Sequence, residues 1–100
     1  MALQITEVRG TFSIHGTLNS GNVNILKRHL ARFLNPKKPV VLNLERVQQL
    51  DRSAAHALKN LYAEAVRSNC VLSIIGRQNM NLFSVMEETN TSFILSSDRI

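Results

Sequence analysis

Residues 3–9 (LQITEVR) carry apolar side chains at Leu3, Ile5 and Val8 with β-branched enrichment, a strand pattern. Gly10 permits a tight reversal, and Thr11–His15 places Phe12 and Ile14 on one face of a second strand, so the two predict a hairpin. Gly16–Asn22 (GTLNSGN) is turn chemistry with several possible helix caps. From Ser20 to Leu34 the spacing predicts a helix. Val23, Leu26, Leu30, Phe33 and Leu34 form its core stripe, Lys27, Arg28 and Arg32 lie opposite, and Ile25 is stranded among the polar positions. Asn35–Pro39 (NPKKP) stops it, because proline cannot continue the hydrogen-bond ladder.

Val40–Leu44 (VVLNL) is short and nearly all apolar, as a buried central strand should be. Asp51 is placed to cap a helix from Arg52 to Ser68. Ala54, Leu58, Leu61, Tyr62 and Ala65 face its core side, and Ser53, His56, Asn60, Ala63 and Arg67 face outward. Val71–Ile75 reads as another buried strand closed by Gly76, Asn79–Glu88 as a helix, and Phe93–Leu95 as an edge strand. The order β-β-α-β-α-β-α-(β) describes an α/β fold. It implies a mixed sheet of four to five strands, an N-terminal β-hairpin and three main helices, with parallel strands joined by right-handed crossovers.

At 100 residues the chain is expected to form one domain over residues 1–100. Hydrophobic residues at 44% and charged ones at 19% describe an ordinary globular composition. No apolar run is long enough for a membrane span and no signal-peptide block opens the chain, so the expected address is the cytoplasm. The net charge of +5 is unevenly placed. Residues 1–44 hold Arg9, Lys27, Arg28, Arg32, Lys37 and Lys38 against Glu7 alone, and the bases and acids of residues 45–100 cancel. That asymmetry raises nucleic acid or an acidic protein as partners. Sparse aromatics, no tryptophan and no helix-turn-helix or RNA-recognition signature argue against nucleic acid.

Asp51, Ser53 and His56 place acid, hydroxyl and imidazole within six residues. A serine triad assembles from separate elements, and no nucleophile elbow is present, so Asp51 reads as a helix cap with Ser53 and His56 solvated. His15, His29 and His56 lie in three elements without ligand spacing, so no metal site is expected. No glycine-rich phosphate cradle occurs, and no cofactor is expected. Cys70, the single cysteine, reads as a small core residue.

The stretch VVLNLERVQQLDRSAAHALKNLYAEAVRSNCVLSIIG (Val40–Gly76) resembles the STAS domain, shared by sulfate transporters and bacterial anti-sigma factor antagonists. IHGTLN (Ile14–Asn19) is similar to the family's G-x-L-D before its first helix, with Asn19 in place of the aspartate. VMEETNTSFIL (Val85–Leu95) looks like its closing helix and last strand. The resemblance implies a non-enzymatic module that binds protein partners. In the antagonists, the residue after the motif aspartate is a serine that a partner kinase phosphorylates, and phosphorylation releases the anti-sigma factor. Here the motif reads Asp51-Arg52-Ser53-Ala54, so Arg52 occupies the switch position and Ser53 matches the second hydroxyl position, a candidate for phosphorylation in its place.

The implied partner surface is Asn19, Ser20, Asp51, Arg52, Ser53 and His56, with Asn60 and Arg67 at its rim. The implied partner is an anti-sigma factor or related serine kinase. The alternative is the cytoplasmic ATPase of a membrane transport system, served by an accessory STAS subunit. Neither reading involves nucleic acid or membrane insertion, and the oligomeric state stays open.

Overall fold

The computed structural model describes residues 3–97. Strands β1 (Gln4–Val8) and β2 (Thr11–Leu18) form an antiparallel hairpin. Its two central residues, Arg9 and Gly10, both have positive φ, 51° and 84°. That is the requirement of a type I′ turn, whose twist matches that of the flanking strands. The Glu7 carboxylate accepts the Gly10 amide at 2.9 Å and steadies the reversal.

β2 is the hub of the sheet. Its first half (Thr11–Ser13) pairs in parallel with β3 (Val40–Asn43), and its second half (Gly16–Leu18) pairs in parallel with β4 (Val47–Leu50). β5 (Leu72–Ile75) lies beyond β3, giving the order β1-β2-β3-β5 with β4 beside the upper part of β2. Helices α1 (Val23–Ala31), α2 (Arg52–Arg67) and α3 (Met80–Glu88) complete the α/β architecture.

Along β2, Phe12, Ile14, Gly16 and Leu18 are buried and the residues between them are half-buried, the alternation of a strand with one face in the core. Those side chains join Leu42, Ile74, Leu26, Leu30, Leu58, Leu82 and Met86 in one apolar cluster. Each fully buried aliphatic side chain contributes about 1.5–3 kcal/mol. Gly76 is packed so closely that a Cβ there would sit 2.7 Å from Leu82 Cδ2.

α2 and α3 stop in the same way. Asn69 (φ 60°) and Asn90 (φ 58°) take the left-handed conformation just past α2 and α3. Cys70 N–H reaches Ala65 O at 2.9 Å and Asn69 N–H reaches Val66 O at 3.1 Å, with the equivalent pair from Thr91 to Met86 and Asn90 to Glu87. These are Schellman closures, with asparagine where glycine is commonest.

Several boundaries differ from the sequence expectation. β2 runs on through Gly16, which adopts φ 94° inside the strand instead of opening a turn. α1 is shorter than Ser20–Leu34 at both ends, because residues 19–22 form a hydrogen-bonded loop and the chain leaves the helix after Ala31. Phe33 is 42% exposed and outside the core stripe, its ring 4.9 Å from Phe12 and 5.6 Å from His29. Tyr62 and Cys70 are half-buried. β4 is an additional strand. Phe93–Leu95 is no edge strand: Ser92–Ile94 form a 3-10 turn, and only Leu95 bridges in parallel to Ile74.

Candidate functional site

The pairing of Leu18 with Leu50 ends β2 and β4 side by side, so the loops that follow them are neighbours. One loop starts α1 and the other starts α2. Asn19 folds the first loop: its Oδ1 accepts the Gly21 amide at 2.8 Å and the Asn22 amide at 3.1 Å. Asn22 returns the favour, its Oδ1 accepting the Asn19 amide and its Nδ2 donating to Thr17 O. Main-chain Asn19 O then takes the Val23 amide at 2.9 Å, an orphan donor of the α1 N-terminus.

Asp51 joins the two loops. Its Oδ1 accepts the Ala54 amide at 2.8 Å, the N-cap bond expected from the sequence. Its Oδ2 accepts the Ser20 amide at 3.0 Å, and its own amide donates to Leu18 O at 3.2 Å. Both carboxylate oxygens are therefore engaged in holding backbone.

Arg52 and Ser53 follow as the first residues of α2 and are exposed. Arg52 Nη2 lies 3.7 Å from Glu88 Oε1 at the end of α3, an ion pair whose side chains are 71% and 61% exposed. Pairs this open contribute about 0–1 kcal/mol. The first turn of α2 holds no acidic residue, so a cation sits at the positive end of the helix dipole. Glu88 offsets part of that repulsion.

The structure brings together Asn19, Ser20, Asp51, Arg52 and Ser53. His56, Asn60 and Arg67 are exposed along the α2 face that continues from Ser53. Arg67 closes the helix, and at about 1.5 Å per residue it lies some 22 Å from Arg52. It belongs to the face and not to the loop junction. Ser53 and His56 stay exposed and bond to neither Asp51 oxygen, so no nucleophile–base–acid relay exists there. Among the described residues no group of three or more His, Cys, Asp or Glu side chains has the proximity to hold a metal ion.

Other residues frame the site that sequence reasoning did not single out. A cleft of about 620 Å³ beside the junction is lined by Thr17, Gln48, Gln49, Asn81 and Val85 together with Asn19 and Asp51. Asn79 Nδ2 donates to Leu44 O at 2.9 Å and Val47 O at 2.7 Å, pinning the β3–β4 turn to the start of α3. The polar pair Gln48-Gln49 before Asp51 was the one visible signal. Glu88 had none, since its role depends on α3 ending beside α2.

Among the solved structures with a similar fold are two that illustrate the likeness. Mglu superposes with a TM-score of 0.56 at 18% identity over 71% of the chain, which spans only 18% of Mglu. The anti-sigma factor antagonist SpoIIAA in its unphosphorylated form superposes with a TM-score of 0.67 at 15% identity, covering 98% of this chain and 89% of that one. Identities this low speak to the fold. No curated protein sequence matches the chain. The family model for the STAS domain matches residues 1–94, and with the hairpin, the mixed sheet and the joined helix starts in place, the chain belongs to the STAS domain family.

Proposed function

We propose that this protein acts by binding a protein partner in the cytoplasm, without chemistry of its own, as an anti-sigma factor antagonist-like regulator whose switch position is a fixed cation. The docking surface is the junction of the α1 and α2 starts, extended along α2 through His56 and Asn60 to Arg67. The observation that carries this reading is the Ser20–Asp51 bond. It joins two loops from distant parts of the chain in one surface, on which Arg52 and Ser53 are exposed. The shared fold with the antagonist SpoIIAA supports the same direction.

A phosphoserine at the Arg52 position would bring about −1.5 to −2 charge to a helix start. Arginine brings a permanent positive charge instead, so the surface resembles neither state of a phospho-switch. Ser53 is one residue on, exposed, and carries a hydroxyl. Phosphate there would compete with Glu88 for Arg52 and alter the same surface.

The test is affinity capture from the native host with the wild type, Arg52→Ala and Ser53→Glu, each checked for folding by circular dichroism. The expected result is a histidine-kinase-like anti-sigma factor in the wild-type capture, depleted in both variants. Equal recovery by all three rejects the surface. Recovery of a membrane-associated ATPase instead assigns the chain to a transport system. Intact mass of the host-derived protein reports whether Ser53 carries phosphate.

A further inference from the structure

α1, from Asn24 onward, and the second half of α2 face each other across a gap. The gap between them is a groove of about 550 Å³. Its lining includes small residues on both helices, Ala31 on α1 with Ala65 and Ser68 at the end of α2. Half-buried Leu34 and the edge of Leu61 form its apolar base. Lys27 and Arg28 stand on the α1 rim, with Arg32 one turn further, and residues 23–44 contain no acid. Among the described residues the only ion pair is Arg52–Glu88, so none of these three cations is matched by a carboxylate. Glu64 is the single acid on the groove and lies on the α2 rim.

We propose that this groove is a second docking site, which takes an acidic amphipathic helix of a protein partner. An apolar stripe of such a helix fills the space over Ala31, Leu34 and Ala65, and its acidic flank lies against Lys27 and Arg28. Glu64 sets the orientation by repelling acid from the opposite rim. Concavity favours a helix over a bilayer: a flat surface would meet Ile25, Arg28 and Arg32 on the outside of α1 and leave the base of the groove empty. The groove adjoins the Asn60 and Arg67 end of the surface proposed above, but its argument rests on Lys27, Arg28 and the apolar lining and not on the Asp51 junction.

Cys70 supplies a direct reporter, since it lines the groove and is the sole thiol of the chain. The probe is a synthetic helical peptide with a leucine stripe flanked by glutamates, titrated by fluorescence anisotropy. The expected result is saturable binding, slowed modification of Cys70 by a thiol reagent at saturating peptide, and unchanged binding by Arg52→Ala. Lys27→Glu/Arg28→Glu should weaken binding about tenfold or more, as reversal of close charges across an interface does. Exposed Ala31→Glu should do the same without touching the core. Absence of peptide binding, binding undiminished in both variants, or unprotected Cys70 overturns the proposal. So does binding confined to phosphatidylserine vesicles, which assigns the cations to a membrane surface.

Discussion

The Ser20 amide donates to Asp51 Oδ2 across 31 residues of sequence, while the other oxygen of the same carboxylate caps α2 through Ala54. One side chain thus sets the start of a helix and the position of a distant loop. Asp51→Ala should cost about 1–2 kcal/mol, the upper part of the range for a lost cap, because the loop bond goes with it. Asp51→Asn keeps an acceptor for the cap and should cost less. Urea denaturation of the two variants measures the difference.

Asn79 bonds two carbonyls of the β3–β4 turn through one nitrogen. Asn79→Ala should cost about 1–3 kcal/mol, the penalty for leaving partly buried acceptors without a donor. The loss should be local as well as global. Amide hydrogen exchange at Val47 and Leu50 should rise more than at Leu42.

Asn69 closes α2 with φ 60°. Asn69→Gly should leave stability unchanged or raise it, and Asn69→Ala should lower it by about 1 kcal/mol, because a Cβ without asparagine's local hydrogen bonding resists this conformation. The opposite order in thermal melts would contradict the assigned closure.

Gly76→Ala would press a methyl into Leu82 within a filled core. The expected cost is about 1–3 kcal/mol, typical of overpacking. Pairing it with Leu82→Ala should recover part of that cost, since the second change vacates the space the first one fills. A double-mutant cycle measures the recovery.

The α/β order, the hairpin, three helices and the Asp51 cap were legible because each is a local pattern. Apolar spacing marks α2, and an aspartate before a helical run marks its cap. β4 was not legible. Its burial reads buried, exposed, exposed, buried from Val47 to Leu50, which no regular strand shows. A register shift between Gly16 and Thr17 opposes Thr17 to Gln49 and skips Gln48, which is how Val47 and Leu50 both reach the core. Phe33 failed for another reason. Its spacing from Leu30 and Leu26 continued the helix, but the chain had already left it at Ala31. For the site, Asn19, Ser20 and Asp51–Ser53 came from the family resemblance, and Glu88 and Asn79 emerge only once α3 is docked.

The register shift also makes the site sensitive to counting. Asp51 follows Leu50 directly, so the residue skipped at Gln48 decides whether the carboxylate arrives opposite Ser20 or one strand position away. Substituting Gln48 or Gln49 leaves that count intact, and deleting either changes it. Replacement libraries should therefore pass through this segment freely, while single-residue deletions should separate the two loops, a genetic signature that sets spacing apart from side-chain identity.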